Sequence, residues 1–127
     1  MIKISQDKIM FLHKLMAEKI GGAMGVRDEG LLASAIEGIY QTFDGKELYP
    51  TKEEKGARLG YSLISNHAFF DGNKRIGMFA MLTFLEVNGI KLSFSDDDGA
   101  TVGLSVAAGI MSYEQLLQWI LKHKVNY

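Results

Sequence analysis

Apolar residues recur along this chain with the period of a helix, and each stretch of them is bounded by residues that start or stop one. Ser5 is a cap for a first helix whose apolar face carries Ile9, Leu12, Leu15 and Met16. That helix should end near Ile20, because Gly21-Gly22-Ala23-Met24-Gly25 cannot continue it favourably. Asp28 caps a second helix, carried by Leu31, Leu32, Ala35, Ile36 and Ile39. Asp44-Gly45 makes a turn, with Lys46 to Pro50 extended and a short hairpin expected near 44–50. Thr51-Lys52-Glu53-Glu54 is a capping box that opens a third helix through Ala57, Leu59, Tyr61, Leu63 and Ile64 to about Asn66. The fourth, Lys74 to about Val87, is apolar on nearly all sides and so belongs in the middle of a bundle, closed by Asn88-Gly89. Asp96, Asp97 and Asp98 suit the start of a fifth helix running through Val102, Val106 and Ile110. Ser112 and Gln115 form a second capping box before Leu116, Leu117, Trp119, Ile120 and Leu121, with Lys122, His123 and Lys124 at the favourable C-terminal end. The expected fold is all-α, a single-domain bundle of about six helices over residues 1–127.

Composition removes several function classes. A formal net charge of −1 offers no general attraction to nucleic acid, so no direct DNA binding is expected. The absence of cysteine excludes a disulfide scaffold and a thiolate nucleophile, and suits a reducing cytoplasm. Met1-Ile2-Lys3-Ile4 leads into a polar helix start with no signal-peptide core. The longest apolar run, between Arg75 and Glu86, falls short of the ~20 residues a membrane span needs. Gly21 and Gly25 have Gly-x-x-x-Gly spacing, but no apolar 20-mer surrounds them and no Gly-Lys-Ser/Thr follows them. Asp96-Asp97-Asp98-Gly99 fails as a calcium loop because Phe94 stands where an acid is required.

The chemistry concentrates in His67-Ala68-Phe69-Phe70-Asp71-Gly72-Asn73-Lys74-Arg75, the loop that opens the fourth helix. A helix start presents unpaired N–H groups and a positive dipole end, which favour an anion. Gly72 allows close approach of the backbone to a phosphate, and Asn73 can hold the turn through its side chain. Lys74 and Arg75 stand at the wrong end of the helix dipole, an arrangement that costs a few tenths of a kcal/mol, roughly, unless an anion is bound there. Asp71 is a hard oxygen ligand suited to Mg²⁺ riding on phosphates. His67 has the one side chain of the motif whose ordinary pKa, about 6.5, suits proton abstraction near neutrality. Singly, these residues read as a packed histidine, an N-cap and solvated charge. Jointly, those readings leave the two cations at a helix start unexplained. Phe69 reads as an apolar anchor for the loop, and His13, within the first helix, as a structural histidine.

The motif resembles the Fic/Doc family signature, and more closely its death-on-curing (Doc) branch, His-x-Phe-x-Asp/Asn-Ala/Gly-Asn-Lys-Arg. His67, Phe69, Asp71, Gly72, Asn73, Lys74 and Arg75 match every specified position. Thinner likeness extends to Ser5, His13, Gly21-Gly22 and Asn88-Gly89. The resemblance implies a toxin of a type II toxin–antitoxin system that moves the terminal phosphate of ATP onto a Ser/Thr hydroxyl of a translation factor, elongation factor Tu in Doc-like proteins. It implies His67 as the base, Asp71 as the Mg²⁺ ligand, and Gly72, Asn73, Lys74 and Arg75 as the phosphate-binding residues. Lys74 stands where adenylyl-transferring Fic proteins have glycine. The hairpin near 44–50 would be the flap that aligns the target protein, and a Phd-like antitoxin would supply the inhibition. Ser34 and Glu37-Gly38 resemble the inhibitory Ser/Thr-x-x-x-Glu-Gly/Asn motif of some Fic proteins but are spaced one residue short, and read as helix surface. The next turn of the fourth helix, Met78-Phe79-Ala80, lacks an asparagine that some Doc proteins carry.

Other readings are an AMP or UMP transferase of the same fold and a non-catalytic, partner-binding regulator. A metal-dependent hydrolase built on His67 and Asp71 has too few ligands for a zinc site.

Overall fold

Polar side chains start most of the helices seen in the computed structural model, which describes residues 1–125. In chain order the elements are α1 (Gln6–Ile20), α2 (Glu29–Glu37), a 3₁₀ turn (Gly38–Tyr40), β1 (Thr42–Phe43), β2 (Lys46–Glu47), α3 (Lys52–Asn66), α4 (Asn73–Val87), α5 (Asp96–Ala107) and α6 (Tyr113–His123). Ser5, Asp28, Thr51, Ser95 and Ser112 each accept a hydrogen bond from a backbone N–H in the first turn of their helix. At Thr51 and Ser112 the bond is reciprocated by Glu54 and Gln115, completing both expected capping boxes. The fold is therefore all-α apart from one antiparallel hairpin, which pairs Thr42 with Glu47 and Phe43 with Lys46. Asp44 and Gly45 between the strands both have positive φ (52° and 76°), as the tightest hairpin turn requires. Among the described residues no helix is long and apolar enough to cross a membrane.

The core is built around the pair α3 and α4. Ala57, Leu59, Leu63, Ile64, Ile76, Ala80, Met81, Phe84 and Leu85 are all fully buried there. Small residues let the two helices approach closely. A β-carbon at Gly56 would lie 2.6 Å from Leu85 Cδ2, one at Gly60 would lie 2.9 Å from Met81 Sδ, and one at Gly77 would collide with Ile64 Cγ1. This matters for function because the motif loop runs from the end of α3 to the start of α4. Tight packing of the pair fixes both of its anchor points.

Three details differ from the periodicity. α4 begins at Asn73, one residue earlier than expected. α5 stops at Ala107, so Ile110 is not on it and stands 75% exposed. Gly109 turns the chain with φ 74°, and the Ile110 and Met111 N–H groups close back on Ser105 O. α4 is central but not covered on every side: Phe79 is 50% exposed, beside Leu104 of α5 at 55%. Lys55 is fully buried despite its charge, and its ammonium donates to Glu47 Oε1 (2.9 Å) and to the carbonyl of Tyr49.

Candidate functional site

α3 ends at His67, which adopts the left-handed conformation (φ 55°, ψ 48°). Glycine or asparagine is the usual occupant of such a helix end, since a β-carbon is crowded there. Three donors from Arg27 and Asp28 hold the strained turn. Arg27 Nε–H donates to the His67 carbonyl (2.7 Å), and the Arg27 and Asp28 backbone N–H groups both donate to Ala68 O (2.8 and 3.0 Å). Val26 and Phe69 form an isolated antiparallel bridge, and Phe70 N–H reaches Gly25 O at 3.4 Å. The glycine-rich segment between α1 and α2 thus lies along the motif loop as a short second strand of backbone. Gly22 has φ 106°, and a β-carbon on it would sit 2.6 Å from Asp71 Oδ2. Only glycine fits there.

Within the motif, Asn73 tightens the loop from inside. Its Oδ1 accepts from Phe69 N–H and its Nδ2 donates to Phe69 O, both at 3.0 Å. With the side chain so engaged and 9% exposed, its backbone N–H is the group left for an anion. Gly72 precedes it with φ 75°, and α4 has no side-chain cap, unlike the other five α-helices. The first N–H groups of α4 therefore lack a capping acceptor. Lys74 and Arg75 in the same turn are exposed, and among the described residues neither meets a carboxylate within 4.0 Å.

His67, Asp71, Gly72, Asn73, Lys74 and Arg75 all line one open cavity of about 420 Å³, with Ile64, Phe70 and Ala107 completing its wall. Every residue singled out in the motif for chemistry is in that set. An imidazole, a carboxylate, uncapped backbone donors and two cations thus share one cavity. Such an arrangement can bind a polyanion and remove a proton beside it. Asp71 Oδ1 accepts from Gly72 N–H at 2.8 Å, and a carboxylate has lone pairs to spare after one such bond. Among the described residues no group of three or more His, Cys, Asp or Glu is placed to hold a metal by itself. One carboxylate suits Mg²⁺ arriving on phosphates, an ion that keeps most of its ligands as water and phosphate oxygen.

The family model described as the Fic/DOC family matches residues 3–85, which include α1 to α3, the whole loop and all but the last two residues of α4. This chain belongs to the Fic/DOC family. It is similar to "Toxin Doc" of Mycolicibacterium smegmatis, with 44% identity over 77 residues, which is 61% of this chain and 59% of that protein. It is also similar to "Protein kinase doc" of Escherichia phage P1, 30% identical over 109 residues, 86% of this chain and 85% of that one. The chain thus spans less than two thirds of the first relative and most of the second.

What the motif could not disclose in this Fic/DOC chain is its bracing. Arg27 and Gly22 bear on the loop from about 40 or more positions upstream, and nothing local marks them. His13 left a faint signal, a polar residue on the same helical face as Ile9 and Met16.

Proposed function

We propose that this protein is a cytoplasmic toxin of a type II toxin–antitoxin system that transfers the terminal phosphate of ATP to a Ser/Thr hydroxyl of a translation factor of the elongation factor Tu kind. The observation that carries this reading is the uncapped start of α4 with two unpaired cations, facing the same cavity as His67. The names of the two relatives, a toxin and a protein kinase, support it.

His67 takes the proton of the incoming hydroxyl, and the hydroxyl oxygen bonds to the terminal phosphorus as the bond to the bridging oxygen breaks. ADP leaves. Lys74, Arg75 and the N–H groups of Asn73 and the first turn neutralise charge spread over the transferring group, which is where most of the rate of such a reaction comes from. Asp71 would hold Mg²⁺ arriving with the nucleotide, an ion that would draw charge from the phosphate oxygens. Lys74 places bulk and charge where an adenylyl-transferring relative has glycine. It thereby favours the terminal phosphate, rather than the innermost one, beside His67.

A Phd-like antitoxin supplies the control. Between α4 and α5 lies an apolar groove of about 400 Å³, lined by Met78, Phe79, Leu82 and Leu104 and ending at Lys74 and Arg75. An amphipathic helix of the antitoxin, folding as it binds, fits that groove and shares a wall with the cavity. The test is growth. Expression of this chain alone in bacteria is expected to arrest growth, and co-expression of its genomic neighbour to relieve the arrest. Harmless accumulation of folded wild-type protein across several bacterial hosts contradicts the toxin reading and favours a regulator.

A further inference from the structure

α1 presents one polar side chain to the interior, and that side chain ends on the motif. His13 is 3% exposed. Its Nε2 lies 2.6 Å from the carbonyl oxygen of Asp71, and since a carbonyl only accepts, Nε2 carries the proton and donates. Among the described residues this is the one hydrogen bond that Asp71 O receives. The ring also stacks on Phe69, with centroids 4.0 Å apart and planes 13° from parallel. A β-carbon on Gly72 would lie 3.5 Å from the same Nε2. One imidazole therefore meets two parts of the motif, the Phe69 ring and the Asp71 carbonyl, and lies beside Gly72.

We infer that His13 is a positioning residue, which holds the Asp71–Gly72 peptide with its carbonyl toward α1 and its N–H toward the Asp71 carboxylate, which accepts from it at 2.8 Å. The argument rests on the proposed use of this loop as a phosphate cradle. A peptide has two faces, and rotation of this one would break its bond to the Asp71 carboxylate and turn an acceptor oxygen toward the cavity proposed for the anion. The neighbouring bonds do not prevent it. Asn73 fixes Phe69, and the 25–28 segment fixes Ala68 and Phe70; among the described residues the one other bond on this peptide runs from Gly72 N–H to the side chain of Asp71 itself. Gly72, with no side chain, permits the rotation sterically. An apolar residue at position 13 would fill the same space and stack as well on Phe69. It would leave Asp71 O buried against α1 without a donor, and that unmet acceptor would favour the rotated state. The hydrogen bond, not the ring, is what a merely packed residue lacks.

His13→Leu and His13→Gln separate the two roles, because the glutamine amide can reach Asp71 O as a donor and leucine cannot. Folding of each is checked by thermal unfolding and helical circular dichroism. Backbone amide resonances of Gly72 and Asn73, read in the protein without nucleotide, report the peptide's orientation whatever reaction the site performs. The expected result is a large displacement of both resonances in His13→Leu and their return toward wild type in His13→Gln. Transfer to protein should fall about 10- to 100-fold in the leucine variant, through kcat and the KM for ATP together, and recover in the glutamine variant. If the resonances behave this way while no phosphate is transferred by wild type, the clamp stands and the phosphotransfer reading fails. Wild-type resonances and kinetics in a folded His13→Leu overturn the inference, as does a folded His13→Gln that restores neither.

Discussion

The motif loop and the β1–β2 hairpin are both short, both left-handed at one non-glycine residue, and held in opposite ways. The loop is tied to three other parts of the chain: to α1 through His13, to the α1–α2 segment through Gly25, Arg27 and Asp28, and to α4 through Asn73. The hairpin has every strand residue exposed, including Phe43 at 75%, and hangs from α3 by the ammonium of Lys55 through Glu47 and the Tyr49 carbonyl. Beyond that it has its own ladder and the Leu48-to-Gln41 backbone bond. Groups that must be in place before a reaction benefit from such redundancy, since misplacement by about 1 Å costs up to ~10² in rate. A segment that meets a variable protein surface benefits from low local stability. The loop is thus braced from several sides, and the hairpin is held at few points.

Removing the group at the centre of the braced loop should have the largest effect. His67→Asn keeps a residue that tolerates the left-handed turn, and His67→Ala removes the imidazole outright. Both should lower transfer by about 10²–10⁴ while the melting temperature stays close to wild type. Unchanged transfer by either folded variant removes His67 from the chemistry. Loosening the brace comes next. Gly22→Val adds a strained φ and a β-carbon against Asp71, and should cost about 10- to 100-fold in transfer with α-helical content retained. Normal activity there would mean that the loop tolerates movement.

The hairpin should respond differently. Lys55→Met removes its tether but keeps the buried volume, so amide exchange across 41–48 should quicken while the core amides of α3 and α4 stay protected. Transfer to protein should fall several-fold with the KM for ATP unchanged. An equal loss in both quantities would show that the hairpin and the loop are one unit.

A pair outside both regions sets the smallest effect. Burial alone would raise the Glu53 carboxyl, but the hydrogen bond and charge of Lys124 overcome it and hold its pKa below the ordinary 4.5. A carboxyl lowered on folding contributes stability that is present above its unfolded value and lost as pH falls through its folded one. Wild type should therefore lose its advantage over Glu53→Gln as unfolding is measured from about pH 6 to 3, by no more than about 1 kcal/mol.

The sequence was a good guide wherever the determinant is local. Caps at Ser5, Asp28, Thr51 and Ser112 started helices because a side-chain oxygen three residues from an orphan N–H needs no tertiary help. The Asp44-Gly45 turn was legible for the same reason. The motif residues were legible because their types at their spacing make sense only together, and they do line one cavity. Lys55 was not: its charge argues for solvent, and only the return of Glu47 and Tyr49 over α3 makes burial affordable. The clasp of residues 22–28 on the loop, and the reach of His13 across 58 positions to Asp71, depend on how α1 packs against α4 and α2. No window of sequence contains that information.

The central claim is that the braced loop presents the terminal phosphate of ATP, and not the innermost one, to a protein hydroxyl. The most direct measurement follows the position of the label. The purified protein is incubated with Mg²⁺ and a bacterial lysate, with ATP labelled at the γ- or at the α-phosphate. Protein-bound label from γ-labelled ATP alone, absent with His67→Ala, is the predicted result. Protein-bound label from α-labelled ATP would contradict it and make the chain a nucleotidyl transferase.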